Sequence, residues 1–346
     1  MKIVDLREVH PRALDRLFDE QARFWREVFL WNYRPALDMI RRFVSTRSLE
    51  GVAVTDGDEA VAYSFYIFEN RKGLIGDFFV SPRFSPLEVA CPLLTRILAL
   101  LQFVPWVNRV ETHIMPLETD VLQFLTQHDF SLYERQFMRL DLQRPADPSR
   151  GVTSAVRNPC VPNTTNRDAG GVPTRDAAHA RTPGAIAKSG PFIVERWNQR
   201  DTDGVARLIH LAYATHIDSQ INDQYSSQEG AHRFLRNITQ TVACGEFLRE
   251  GSFVLRPRGE LQPAGVVLAS KVDDGVAHIT QICVQPGYQR NGIGRILMEA
   301  SIEALQQRRY HDLTLTVTSA NQNAVRLYET LGFCTLRKFC AGVWRA

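Results

Sequence analysis

VQPGYQRNGIGRIL, residues 284–297, follows an apolar run and leads into a segment with helical periodicity. Gly292 and Gly294 stand where that helix should begin, flanked by Arg290 and Arg295, and no acidic residue occurs from Val284 to Met298. Glycine disfavours helix, so two of them at a helix mouth need a reason. The first amides of a helix lack intrahelical partners and carry partial positive charge from the macrodipole. Where no side chain intervenes, those amides can receive a phosphate. The other reading is an ordinary strand-to-helix turn, and the motif alone does not separate the two.

The surrounding residues give the turn a frame. PFIVERWN (191–198) reads as a strand, Asp201 can cap a helix through Ala214, and 227–242 reads as a second helix. SFVLRPR, AGVVLASKV and, after the turn DDG, VAHITQICV read as strands. After the glycines come a helix, the strand DLTLTVT, a short helix at 321–331 closed by Gly332, and a last strand from Cys334. The layout is mixed α/β (α+β).

Residues 143–190 contain no Leu, Met, Phe, Tyr or Trp. Such a segment cannot bury enough apolar surface to offset its ordering entropy, so it reads as a disordered linker between blocks 1–142 and 191–346. It also holds seven Lys/Arg against three Asp, which leaves the rest of the +3 chain close to neutral. No folded basic face is implied, and this argues against a nucleic-acid partner. No run of about 18 uncharged apolar residues suggests a membrane span. The start MKIVDLREVHPR lacks the features of a secretion signal. Six sparse cysteines (Cys91, Cys160, Cys244, Cys283, Cys334, Cys340) show no CxxC pair, so neither a metal site nor a disulfide scaffold is expected. A cytoplasmic protein is the expectation.

Shifted by about 204 residues, FVSPRFSPLEVACPLL falls on CVQPGYQRNGIGRILM, and Pro82 meets Pro286. Strands at 51–55 and 60–69 and helices near 11–27 and 35–44 repeat the element order of the second block. The chain reads as a tandem repeat of one domain.

Downstream of the glycines, Asn321, Ala324, Leu327, Tyr328, Gly332 and Phe333 form N-x-x-A-x-x-L-Y-x-x-x-G-F. With Q-x-x-G-x-G at 289–294 and the strand ending at Val284, residues 191–346 resemble the GCN5-related N-acetyltransferase superfamily. Block 1–142 resembles it through element order only. The resemblance implies two tandem domains, each a twisted mixed sheet flanked by helices, and an acetyl-CoA-dependent acyltransferase. It places the pyrophosphate on the run Gln289, Arg290, Asn291, Gly292, Ile293 and Gly294, beside Arg295. Asn291 departs mildly from relatives that carry Gly, Lys or Arg there. The pantetheine arm would pair with Ile282, Cys283 and Val284 where the fourth and fifth strands splay, and Asn321 would touch it.

The resemblance makes Tyr328 the general acid for the leaving thiolate; the plain reading is a packed aromatic. Asn321 can equally be a helix N-cap. His278, Thr280, Ile282 and Val284 alternate onto one strand face unless a bulge intervenes, and the resemblance, through the histidine that arylalkylamine N-acetyltransferases carry at this place, makes His278 the candidate base, with Glu246 an alternative if its loop folds over the cleft. Cys283 has no neighbour to activate it as a nucleophile. The connection THIDSQINDQY would line the acceptor pocket with His216, Asp218, Asp223 and Tyr225, or simply be solvated. In block 1–142 the glycines are replaced by SPLEVA. Ser85 and Glu88 should form a capping box, Pro86 removes an amide, and Leu125 and Glu118 replace the Tyr and Asn. That block reads as a degenerate copy without a working site.

The expected activity is transfer of acetyl from acetyl-CoA to a primary amine, on a small molecule or a peptide N-terminus. The rival is a non-catalytic acyl-CoA-binding or assembly module.

Overall fold

The computed structural model describes residues 1–112, 119–143, 190–241 and 244–346. The segment read as a linker lies outside these residues from 144 to 189, as does Glu118. In chain order the first repeat comprises β1 (Lys2–Asp5), α1 (Asp15–Phe29), α2 (Arg34–Ser45), β2 (Gly51–Asp56), β3 (Glu59–Glu69), β4 (Lys72–Val80), α3 (Pro86–Gln102), β5 (Arg109–Thr112), α4 (Thr119–Gln127) and β6 (Ser131–Asp141). The second comprises β7 (Phe192–Arg196), α5 (Thr202–Tyr213), α6 (Asp218–Ile221), α7 (Gln228–Gln240), β8 (Glu246–Pro257), β9 (Gly265–Asp273), β10 (Val276–Val284), α8 (Ile293–Gln307), β11 (Asp312–Thr318), α9 (Gln322–Thr330) and β12 (Cys334–Arg345). Apart from the short α6, the two orders are the same. The repeat is real.

Sequence led us to expect a separate sheet for each copy. The structure instead forms one sheet of twelve strands, ordered β1-β2-β3-β4-β5-β12-β6-β11-β10-β9-β8-β7. Each repeat places its last strand inside the other's sheet: β12 pairs with β5, β6 with β11, and the two run antiparallel side by side. The exchange leaves neither repeat with an unpaired edge at the junction, where exposed backbone would invite aggregation. An aromatic cluster seals it, with Trp25 and Phe29 of α1 packed on Phe137 of β6 and Phe339 of β12.

In each repeat the fourth and fifth strands are parallel and part early. β4 pairs with β5 from Lys72 to Ile75 only, and β10 pairs with β11 from Val276 to Ile279 only. The remainder of β10 keeps its antiparallel partner β9 to Val284, so its other edge lies open. Helices cover both faces. α8 packs on one face of the second half through Leu297, Met298 and Leu305, while α5 and α7 cover the other through Val205, Ile209 and Leu235. α3 and α1–α2 do the same in the first half. Among the described residues no helix is long and apolar enough to cross a membrane.

Candidate active site

The glycine turn has the geometry that a helix mouth open to an anion requires. Gly292 occupies the N-cap of α8 at φ +75, Arg290 before it is also left-handed at φ +64, and no side chain caps the helix. A Cβ at Gly292 would be strained by that φ, although it would meet no atom. At Gly294 a Cβ would touch only Leu327, at 3.3 Å, so the backbone there is bare toward solvent. Gln289 is exposed, its Nε2 donating to the Val284 carbonyl at 3.2 Å. Arg295 bends back along the helix to Glu299 and Thr330. Arg290 has no such tie among the described residues.

This mouth opens onto a cleft of about 720 Å³ that also contains the open edge of β10, the start of α9 and the α5–α6 connection. Ile282, Cys283, Val284, Gln289, Arg290, Gly292, Ile293, Gly294, Arg295, Asn321 and Tyr328 all line it, with His216, Asp218 and Tyr225 on the far wall. Asn291 sits on the rim, donating from Nδ2 to the Tyr288 carbonyl. Thus two motifs distant in sequence meet across the strand splay.

Tyr328 is buried, and its hydroxyl makes no hydrogen bond among the described residues. Burial, then the nearby Asp218 carboxylate, hold its phenol above the ordinary value, so it stays protonated at neutral pH. Asp218 itself accepts a hydrogen bond from Thr318. Asn321 caps α9 by accepting from the Ala324 amide, and its Nδ2 also donates to His216 Nε2 at 3.0 Å. Tyr225 stacks on Tyr213 with ring centroids 4.2 Å apart.

Four expectations fail. A register shift between Ile279 and Gln281 marks a bulge at Thr280, so His278 does not share a face with Ile282 and Val284. His278 lies in a different cavity, between the rings of Trp31 and Phe137, with Nδ1 bonded to Thr314. Burial, with the Arg135 charge behind it, pushes its imidazole down to about 3, which makes it a poor base. Glu246 begins β8 on the surface, away from the cleft. Asp223 turns away too, paired with the buried Lys72, while its amide donates to Glu111. In the first repeat Ser85 makes no side-chain cap, so the expected box with Glu88 is not formed, although Pro86 does stand at the helix start. Cys283 is buried with its thiol pushed up to about 12, an unreactive environment.

Sequence reasoning missed the reach of the first repeat into this site. Arg135, on β6, enters the cleft beside Tyr225, and its buried Nε has no partner among the described residues. A lone Arg in a strand gives no such signal, because only the exchange of last strands carries it there. The acceptor-side connection is also fastened to the first repeat. Lys72, 4% exposed, bridges Glu69, Glu111 and Asp223, while Glu69 accepts from Gln224 and Arg233. Reciprocally, Asn32 donates to the Val272 carbonyl and Arg26 pairs with Asp273.

The comparisons with known proteins agree with this geometry. Residues 217–333 match the profile of the Acetyltransferase (GNAT) family. Over 116 residues, 33% of this chain, the sequence is 35% identical to the ribosomal protein bS18-alanine N-acetyltransferase of Escherichia coli K12, covering 76% of that protein. The fold of the whole chain is similar to a GCN5-related N-acetyltransferase from Sphaerobacter thermophilus, with TM-score 0.64 at 15% identity, covering 99% of this chain and 95% of that one. It is also similar to a tandem GNAT protein from the clavulanic acid biosynthesis pathway, with TM-score 0.53 at 12% identity over 86% and 82% of the two chains. With the helix mouth, the strand splay and the paired motifs in place, the chain belongs to the acetyltransferase (GNAT) family and is an enzyme that transfers an acetyl group to an amine.

Proposed function

We propose that acetyl-CoA is the donor, that it binds in the second half, and that residues 191–346 form the transferring unit. The observation that carries this is the uncapped mouth of α8 opening onto the same cleft as the free edge of β10 and the Tyr328 hydroxyl. The pyrophosphate lies on the amides from Arg290 to Arg295, with Arg290 free to close on it. The pantetheine arm pairs with Ile282 to Val284, past Asn321.

The acceptor amine attacks the thioester carbonyl, a C–N bond forms, and the C–S bond breaks. Tyr328 gives its proton to the departing thiolate. His216 is the one imidazole among the described residues lining the cleft, and it takes the amine's proton at Nε2 in exchange for the hydrogen bond from Asn321 Nδ2. Asp218 draws the cationic amine in before it is deprotonated.

A second reading concerns the acceptor. The far wall carries both signs, Asp218 and Arg135, which suits an amine with an oxygen acceptor a short distance away, as in a peptide N-terminus. The relative from Escherichia coli is named for acetylating an alanine of a ribosomal protein. Release of free thiol from acetyl-CoA, followed with an N-terminal alanyl peptide and with a simple alkyl monoamine, tests both readings. Acceptor-dependent release is expected, faster with the peptide. Release no faster with any acceptor than without would leave an acyl-CoA-binding module.

Calorimetric titration of the full chain with CoA should find one site. In the first repeat Pro86 lacks an amide, Glu88 adds a negative charge and no glycine bares the backbone of α3. Gly294→Glu puts bulk and negative charge on the phosphate path, with only Leu327 to displace, and should weaken CoA about tenfold or more, roughly 1.4 kcal/mol. Two sites, or unchanged affinity in the folded variant, would refute this placement.

A further inference from the structure

The first half contains a cavity of about 730 Å³ that the transfer reaction does not use. It follows the splay of β4 from β5 and runs beneath α1 to His278. Nine aromatic side chains line it, and no Lys or Arg among the described residues does. On its wall stands Asp77, in the middle of the apolar run GLIGDFFV. Its carboxylate accepts from the Tyr33 hydroxyl at 2.6 Å and from Gln21 Nε2 at 3.3 Å, and the Tyr63 hydroxyl is 3.0 Å away. All these donors are neutral. Asp77 is half-buried, its open side on the cavity, and neutral donors replace only part of the hydration that a carboxylate loses there. Nearby, Glu20 Oε2 is buried without a partner among the described residues, while its other oxygen is held by Arg83. His278 supplies no charge, being held neutral. The second half's cleft sets its one carboxylate, Asp218, among cations. It is lined by Arg135, Arg290 and Arg295, and Gln281 occupies the repeat position of Asp77.

The walls are built to keep this space open. Gly76 stands where any Cβ would fall within 2.1 Å of the Phe65 ring, so its absence lets that ring lie flat along the strand. Trp25 stacks on Tyr33 at 4.2 Å and is braced by Trp31, which presents rigid π-surfaces beside the carboxylate. Aromatic faces attract organic cations, and more strongly when water is excluded. The volume is that of a small-molecule site.

We propose that this cavity is a second ligand site, which takes a hydrophobic organic ammonium ion, its cationic head against Asp77 and its apolar body among Trp25, Trp31, Phe65 and Phe79. An anionic ligand would face Asp77 and Glu20, and a neutral one would leave the carboxylate without a cation. Desolvation holds the Asp77 carboxyl above its ordinary value despite its hydrogen bonds.

Trp25 and Trp31 report occupancy directly through tryptophan fluorescence of the full chain. Titration with 2-phenylethylammonium should saturate, at least tenfold tighter than 2-phenylethanol or 3-phenylpropionate. Asp77→Asn should erase that preference, and saturating CoA should leave it unchanged. Equal binding of the alcohol to the unmodified chain would overturn the proposal without recourse to any variant. So would a preference that survives Asp77→Asn, or displacement of the probe by CoA, which would mark the cavity as a cofactor cleft.

Discussion

Tyr328→Phe is expected to lower turnover by roughly 10²–10⁴ while CoA affinity changes little. The reason lies in the surroundings of one oxygen. The hydroxyl is unpaired among the described residues, although the ring is packed beside Phe333 in the core, so removing it costs no hydrogen bond among them. Burial and Asp218 keep the phenol protonated, which makes it a reliable but reluctant acid. In the proposed mechanism its proton moves to the thiolate as that group leaves. Steady-state rates with acetyl-CoA, alongside calorimetry with CoA, check this. A variant that binds CoA and turns over at the parent rate would return Tyr328 to a packing role.

Acid should destabilise the protein through His278. In the unfolded chain its imidazole titrates near 6.5, whereas the folded environment pushes it down to about 3. Between those values the unfolded state binds the extra proton, so stability falls as pH falls. The loss attributable to this residue at pH 4 is on the order of 3 kcal/mol relative to pH 7. Leu74 pairs with β5 as His278 pairs with β11, so His278→Leu places the first repeat's own residue at the matching position. Urea titrations at pH 7 and pH 4 should show the variant losing about 3 kcal/mol less than the parent. Equal losses would mean that His278 does not titrate as its burial requires.

The parts of the site legible in the sequence are those set by short-range chemistry. A left-handed glycine at a helix mouth, an Asn that caps α9 and a Tyr two turns later depend on residues within a few positions. Their types and spacing therefore carry the information. The element order of both repeats was legible for the same reason.

What the sequence could not determine depends on which strand lies beside which. Alternation places His278 with Ile282 only for a regular strand, and one bulge at Thr280 reverses every side chain beyond it. Asp223 was free to face an acceptor until Lys72 arrived from the other repeat. Arg135 reaches the cleft, and Trp31 covers His278, because β6 and β12 exchange places. Local residues determined the cofactor-like turn and its paired motif. The tertiary structure alone decided the acceptor wall, the fate of the histidine and the second cavity, since each is made of side chains joined by backbone pairing across hundreds of residues, which no local pattern encodes.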